Sequence, residues 1–209
     1  MSRWLFLGAL VLALGEPGAA LAQRAAATPL RAPELLAALR AGGYILYLRH
    51  ADTDHSQNDE RMTSVEDCTT QRNLTDRGRD HARALGEVIR TLGIPIGAVL
   101  ASPLCRTVET AMLAFGTAQK APAAREGGPR PPGSAGRFAA LRVLLSTPVA
   151  PGANTVIVGH AYPYFTLVGG QFLSEGEADV VRPRGTDFEV VARVGLRQWC
   201  ELAATPAHR

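Results

Sequence analysis

The chain has 209 residues, of which 46% are hydrophobic and 20% are charged, and its formal net charge at pH 7 is +3. This length suits one sizeable domain whose core needs neither a metal nor a disulfide to hold it together. The 22 basic residues, all arginine except Lys120, are scattered along the chain, which argues against a nucleic-acid partner.

The N-terminus has the pattern of a secretory signal peptide. Arg3 precedes an apolar run at residues 4–14, and the small-residue site Ala20-Leu21-Ala22 follows. The run is too short to span a bilayer comfortably, and no cysteine lies near the cleavage site to carry a lipid. We therefore expect residues 1–22 to be removed and residues 23–209 to form a single periplasmic or secreted domain without a stable membrane anchor.

Helices and loops are marked by capping residues and by breaks in the apolar pattern. Pro33 opens a short first helix, and Thr75 is the predicted N-cap of a longer one. Ser102 and Pro103 predict the N-cap and first turn of a third helix. The Ala/Pro/Gly-rich stretch at 117–137 predicts an irregular surface excursion rather than a linker between domains.

Short apolar runs bounded by turn residues predict the strands of one sheet. Buried strands are expected at Tyr44–Leu48, Ala98–Ala101 and Thr155–Val158. Alternating apolar residues at Phe188–Val194, preceded by Ala178–Val181, indicate a hairpin that closes one edge. The predicted fold is α/β, a three-layer αβα sandwich with a mostly parallel central sheet and an antiparallel edge hairpin.

Cations and titratable side chains follow each of the three buried strands. Arg49 and His50 end the first strand, Arg106 lies in the first helical turn after the second, and His160 ends the third. Alone, the Arg49 and His50 pair is more typical of a structural histidine. Because the carboxyl ends of parallel strands meet at one edge, the full set predicts an anion site with a nucleophile.

Four motifs carry a resemblance to a known family. LRHADT resembles its RHGxT motif, and NLTDRGRDHA resembles LTxxGxxQA. ASPLCRTVETA resembles SPLxRAxQTA, and VGHA resembles GHG. In this order and spacing the chain resembles the histidine phosphatase (phosphoglycerate mutase-like) superfamily, and specifically a compact, exported member. It departs from the pattern at Ala51, which replaces glycine, and at His81 and Glu109, which replace glutamine.

The resemblance implies a phosphatase of the histidine acid phosphatase type. His50 would attack phosphorus and form a phosphohistidine, while Arg49, Arg106 and His160 would hold the phosphoryl oxygens. Further candidate phosphate ligands are Thr53 and Arg72. The substrate would be a small-molecule phosphomonoester, and the scheme needs no metal or other cofactor. The sequence shows no CxxC or His/Cys spacing that would indicate a metal site.

The proton donor to the leaving group stays open at this stage. Glu126 lies beyond the second arginine motif, where many members of the family carry an acid, and Asp54 follows the nucleophile. A member without a dedicated acid is a third possibility. The alternative function is a non-catalytic phosphate or sugar-phosphate binding module of the cell envelope. Neither the physiological substrate nor the oligomeric state follows from the sequence.

Three cysteines allow one disulfide in an oxidising compartment. Cys68 ends the long polar loop that begins after His50, and Cys105 directly precedes Arg106. If both border one cleft, a Cys68–Cys105 bridge would pin the loop to the helix that carries Arg106, with Cys200 left free. The alternative is that Cys105 is simply a small apolar residue buried against the sheet.

Overall fold

The computed structural model describes residues 30–125 and 136–204. Its described residues build one six-stranded sheet in the order β3-β2-β4-β1-β5-β6. The strands are β1 (Ile45–Arg49), β2 (Ile96–Ala101), β3 (Gln119–Lys120), β4 (Asn154–Gly159), β5 (Ala178–Pro183) and β6 (Phe188–Val194). The predicted signal peptide and the candidate acid Glu126 lie outside the described residues.

The first four strands in this order run parallel to one another, so their carboxyl ends share one edge of the sheet. Arg49 of β1 lies opposite Gly159 of β4, and Ala101 of β2 lies opposite Val158. β5 is antiparallel to β1 and therefore begins at the edge where β1 ends. β6 pairs with β5 to complete the hairpin. The predicted mostly parallel sheet with an antiparallel edge hairpin is confirmed.

Helices cover both faces of the sheet. They are α1 (Ala32–Ala41), α2 (Asp76–Thr91), α3 (Cys105–Phe115), α4 (Ala139–Ser146), α5 (Ala161–Val168) and α6 (Leu196–Ala204). Leu46 and Leu48 of β1 pack with α1, α2, α3 and α6, whereas Ile45 and Tyr47 point to the opposite face and pack with α4 and α5. This alternation makes the three layers, because successive side chains of a strand face opposite sides. Within 30–125 and 136–204, no helix has the length and hydropathy to cross a membrane.

Thr75 caps α2 as the sequence predicts. Its hydroxyl oxygen accepts a hydrogen bond of 3.0 Å from the backbone N–H of Gly78. Gly78 also faces the carbonyl oxygen of Asp52, and a Cβ at this position would overlap it. The glycine thus lets the chain that leaves β1 pass directly over the start of α2.

The start of α3 differs from the prediction. The helix begins at Cys105 with Leu104 as its N-cap, so Ser102 and Pro103 lie before it. A side chain from a different loop supplies the missing cap, because Gln71 Oε1 accepts the Cys105 N–H at 2.9 Å. The Ser102 hydroxyl therefore makes no cap and contacts His160 instead.

Regular structure also occurs in places where the sequence did not predict it. The stretch at 117–137, predicted to be irregular, contains β3 and a short 3₁₀ turn at Pro122–Ala124. Ala121 N–H donates to the carbonyl oxygen of Ala101 at 2.7 Å, which keeps this segment along β2. The helix α6 was also missed, although Trp199 and Leu202 bury its apolar side against the core.

Candidate active site

The two histidines meet where β1 and β4 end side by side. The backbone N–H of His50 donates to the carbonyl oxygen of Gly159 at 3.2 Å, continuing the parallel ladder by one residue. The two imidazole rings have their centroids 5.5 Å apart and are inclined at 62°. Both side chains are buried, each about 1% exposed, so neither is an ordinary surface histidine.

Three arginines surround this pair. Burial lowers the pKa of His50 well below 6.5, and the charges of Arg106, Arg49 and Arg72 lower it further, against a backbone hydrogen bond that raises it. Burial also lowers the pKa of His160, with Arg106 the largest electrostatic cause. Both imidazoles are therefore neutral in the unliganded protein. The structure brings Arg49, His50, Arg106 and His160 together, and it adds Arg72 to the cluster.

One ring nitrogen of His50 is fixed by the backbone. Nδ1 lies 3.0 Å from the carbonyl oxygen of Ala51, which can only accept a hydrogen bond. Nδ1 must therefore carry the proton, and Nε2 of the neutral ring keeps its lone pair. The tautomer is the one that a nucleophilic Nε2 requires.

His160 is held by contacts from two neighbouring strands. Its Nε2 lies 2.8 Å from the Ser102 hydroxyl, which follows β2. The Tyr47 hydroxyl of β1 accepts the His160 backbone N–H at 3.0 Å and donates to its carbonyl oxygen at 2.9 Å. Neither Ser102 nor Tyr47 was singled out as a site residue by the sequence, because both resemble ordinary capping and core positions.

Arg106 is almost completely buried and points toward the long loop that follows β1. Its Nη1 lies 3.0 Å from Asp59 Oδ2 and 3.1 Å from Asp59 Oδ1. Asp59 Oδ1 also accepts the backbone N–H of Arg72 at 2.8 Å. The Arg72 Nε atom is buried and has no hydrogen-bond partner among the described residues. The loop thus delivers one carboxylate and one further cation to the cluster.

Glu175 is a second acidic residue that the sequence analysis missed. Its Oε1 accepts hydrogen bonds from Arg49 Nη2 at 3.2 Å and from the Thr53 hydroxyl at 2.7 Å. Its Oε2 accepts the Thr53 N–H at 3.0 Å, and Arg49 Nη1 donates to the carbonyl oxygen of Leu173 at 2.7 Å. Glu175 therefore orients Arg49 and Thr53, two of the predicted phosphate ligands. The predicted hairpin could have indicated Glu175, because β5 is antiparallel to β1 and the residues just before β5 therefore lie at the edge where β1 ends.

The site geometry agrees with the comparison to known families. The sequence model of the histidine phosphatase superfamily (branch 1) matches residues 45–127, the stretch that carries Arg49, His50, Arg72 and Arg106. Over these residues the chain is similar to the histidine phosphatase superfamily. No curated protein sequence matches it significantly.

Solved structures with this fold share little sequence with this chain. The protein histidine phosphatase SixA complexed with tungstate is 17% identical with a TM-score of 0.50, covering 74% of this chain and 98% of its own. A putative phosphohistidine phosphatase SixA from Agrobacterium tumefaciens is 14% identical with a TM-score of 0.50, covering 73% and 98%. The protein TTHB049 from Thermus thermophilus is 20% identical with a TM-score of 0.51, covering 73% and 99%. These similarities show the fold.

The carboxylates nearest to His50 in sequence are engaged elsewhere. Asp54 accepts hydrogen bonds from the Ser56 hydroxyl and backbone N–H, which lower its pKa in an exposed turn. Burial alone would raise the pKa of Asp52, but hydrogen bonds from His81 and Arg77 outweigh it and lower the pKa. Asp54 is thus an ionised turn residue, and Asp52 connects the segment after β1 to α2 through His81 and Arg77.

Cys68 and Cys105 form the expected disulfide, with Cα atoms 5.7 Å apart, and Cys200 is free and exposed. The Gln71 side chain reinforces this connection. Its amide donates to the carbonyl oxygen of Val65 at 3.0 Å, while its oxygen caps α3. The loop that carries Asp59 and Arg72 is therefore attached to the helix of Arg106 by a covalent bond and by one side chain.

A groove of about 840 Å³ runs along the outer side of this bridge. It is lined by both bridged cysteines and by the ion pair of Arg79 and Glu109, whose Nε and Oε1 atoms are 2.7 Å apart. Glu109, which replaces the family glutamine, thus has a pairing role on the surface. The four strand-end residues are not part of the groove lining, so the groove is separate from the cluster.

In the part of the chain that the structure describes, no group of three or more His, Cys, Asp or Glu side chains is arranged to hold a metal ion.

Proposed function

We propose that the chain is an exported phosphomonoesterase that works through a phosphohistidine intermediate on His50, without a metal. The superfamily is one of phosphatases, which supports phosphatase activity in general. The observation that carries the finer proposal is the convergence of His50 with His160 and three arginine charges in one buried cluster. A binding protein for phosphate needs the cations, but it has no need of a neutral imidazole whose Nδ1 is locked to the backbone.

In the proposed first step, His50 Nε2 attacks phosphorus and the ester oxygen leaves on the opposite side. Arg49, Arg72 and Arg106 neutralise the phosphoryl oxygens and hold them for in-line displacement. His160 contributes one ring nitrogen to the same oxygens, and the phosphoryl charge favours its protonated form. Water then attacks the phosphohistidine, which releases phosphate and restores His50.

The three arginines account for charge neutralisation in this scheme. A phosphomonoester dianion carries about two negative charges, and planar guanidinium groups match phosphate geometry with paired donors. Their buried setting strengthens each interaction relative to water. We therefore expect turnover to need no divalent ion. The substrate class is a small-molecule phosphomonoester.

Two features support export. The sequence begins with a predicted signal peptide, and the Cys68–Cys105 bridge suits an oxidising compartment. We propose that residues 1–22 direct the protein to the periplasm or the exterior and are then removed. Expression with and without these residues, followed by cell fractionation and mass measurement of the exported product, tests this part.

The decisive test uses purified mature protein and p-nitrophenyl phosphate. We expect hydrolysis that is unchanged by EDTA and inhibited by vanadate, together with an acid-labile, alkali-stable phosphoryl group on the protein after rapid quenching with alkali. Hydrolysis that stops with EDTA and returns with a metal would contradict metal independence. Tight phosphate binding without any turnover would establish the binding module instead.

A further inference from the structure

The long loop after β1 places one carboxylate directly against the cationic cluster. Asp59 contacts Arg106 Nη1 with both oxygens, at 3.0 and 3.1 Å, and accepts the Arg72 N–H at 2.8 Å. The Asp59 side chain is 31% exposed, whereas that of Arg106 is 1% exposed. The carboxylate therefore lies on the solvent side of a buried guanidinium.

Arg106 links this carboxylate to the nucleophile. The Thr110 hydroxyl connects the Arg106 turn of α3 to the residue after His50, because it accepts the Ala51 N–H at 3.1 Å and donates to the Arg106 carbonyl oxygen at 2.7 Å. The Arg106 charge is also the largest electrostatic cause of the lowered pKa of both His50 and His160. A phosphoryl group held by Arg106 and attacked by His50 would thus arrive next to Asp59. Its solvent-facing position also gives a departing alcohol and an entering water access to the carboxylate.

The other acidic residues near the cluster are less suited to donate a proton. Glu175 has both oxygens engaged by Thr53, and it also pairs with Arg49. Asp54 points into its own turn toward Ser56. Asp52 is bound by His81 and Arg77. Among the described acidic residues, Asp59 is the one that contacts Arg106.

We propose that Asp59 is the catalytic acid and base of the reaction on His50, an inference that rests on the proposed phosphatase function. An arriving phosphoryl dianion shares Arg106 with the carboxylate, and like charges at one site favour keeping a proton between them. As the N–P bond to His50 forms, the P–O ester bond breaks and its electron pair stays on the leaving oxygen. The proton of Asp59 moves to that oxygen, and the alcohol departs.

In the second step the carboxylate acts in reverse. A water oxygen attacks phosphorus, and Asp59 accepts one of the water protons. The P–N bond breaks, its electron pair returns to His50 Nε2, and phosphate leaves. Over both steps one ester and one water become one alcohol and one phosphate, and Asp59 again carries the proton with which it began the first step.

The test compares Asp59→Asn with Glu60→Gln, which removes the neighbouring exposed carboxylate of the same loop. Each is assayed on 2,4-dinitrophenyl phosphate, whose leaving group needs no proton, and on glycerol 2-phosphate, whose leaving group does. For Asp59→Asn we expect the rate of phosphoryl-enzyme formation from glycerol 2-phosphate to fall about 10²-fold or more, while the rate of its formation from the dinitrophenyl ester changes by less than about threefold. Glu60→Gln should behave as the unmodified protein on both substrates.

Equal losses in the rate of phosphoryl-enzyme formation from both substrates, or no loss from either, would overturn the assignment and leave Asp59 as an anchor for its loop. If Asp59→Asn does not fold, the unmodified protein decides through a series of esters. A donated proton predicts rates that depend only weakly on leaving-group acidity, and a steep dependence would reject the proposal. Failure of the proposed function is distinct, because the unmodified protein would then form no phosphoryl-enzyme even from the dinitrophenyl ester.

Discussion

The Tyr47 hydroxyl binds both backbone polar groups of His160, accepting its N–H at 3.0 Å and donating to its carbonyl oxygen at 2.9 Å. The two residues lie on neighbouring parallel strands, and Tyr47 is fully buried. Its ring stacks on Tyr164 with centroids 4.1 Å apart, which holds the hydroxyl in place. One side chain therefore links the two strand ends in addition to the backbone ladder between β1 and β4.

Tyr47→Phe should lower both stability and activity. Removing the hydroxyl leaves two buried backbone groups without that partner, at a cost of about 1–3 kcal/mol. We expect a lower midpoint of denaturant unfolding and a reduced kcat, because His160 is less well fixed. Tyr162→Phe is the matched control, since the Tyr162 side chain is exposed. Equal behaviour of the two variants would contradict this role of Tyr47.

His50→Ala should abolish turnover while phosphate binding partly survives. The nucleophile is lost, but Arg49, Arg72 and Arg106 remain, so calorimetry should still detect binding of inorganic phosphate. Normal hydrolysis by purified His50→Ala would exclude the covalent mechanism.

Arg106→Ala should weaken binding and also lower the rate by roughly 10²-fold or more, as expected for loss of a transition-state donor.

Glu175→Gln should raise KM more than it lowers kcat. The variant keeps a side chain of the same shape but loses the charge that orients Arg49, and a hydrogen bond to a charged group contributes about 1.5–3 kcal/mol. We expect KM for p-nitrophenyl phosphate to rise roughly tenfold if about half of that is lost as binding. Glu189→Gln removes a comparable arginine partner on the distal hairpin and should leave KM unchanged. A pure loss of kcat in Glu175→Gln would contradict a positioning role.

Reduction of the Cys68–Cys105 bridge should lower stability and loosen the loop that carries Asp59. The bridged residues are 37 apart, and closing a loop of this size stabilises the fold by about 4 kcal/mol on the chain-entropy model. We expect a lower melting temperature after reduction, and one titratable thiol before reduction and three afterwards in denaturant. Cys200→Ser should show no thiol before reduction and the same fall in melting temperature. Three thiols in the unreduced protein would rule out the bridge in solution.

Acid should destabilise the fold through its buried histidines. The pKa of His50 is lowered well below 6.5 in the folded state, so the unfolded chain binds more protons as the pH falls below 6.5. Stability is therefore retained above pH 6.5 and declines below it, by at most about 1.4 kcal/mol per pH unit for each such group. His50→Gln should reduce this slope in denaturant titrations between pH 5 and 6.5. An equal slope in His50→Gln and in the unmodified protein would contradict this cause.

The sequence predicts the sheet and the position of the residues at its strand ends well because both depend on local patterns. Three of the four parallel strands are apolar runs that stop at Arg49, at Ser102 or at His160, and the direction of these strands together with the four motifs predicted the cluster. Asp59 and Glu175 could not be selected in this way. Their contacts to Arg106 and Arg49 span 47 and 126 residues, and both lie in loops without periodicity.

The predicted N-cap of α3 was also wrong. A serine followed by proline is a common helix start, and Thr75 shows that such local signals often hold. At Ser102 the signal misled, because Gln71, 34 residues earlier than Cys105, supplies the hydrogen bond to the Cys105 N–H. A hydrogen-bond partner this far away in the chain cannot be recognised from the residues next to the helix start.

The antiparallel direction of β5 determines where residues could be inserted to change substrate specificity. Because β5 starts where β1 ends, the connection from α5 must arrive beside Arg49. Residues inserted next to Leu173, whose carbonyl oxygen accepts from Arg49, would lie beside that arginine without changing any strand pairing. Insertions in the β5–β6 turn would extend from the opposite edge and have no effect there. Grafting segments of different length into the α5–β5 connection is therefore a way to select bulky or small phosphoesters while the proposed catalytic residues stay unchanged.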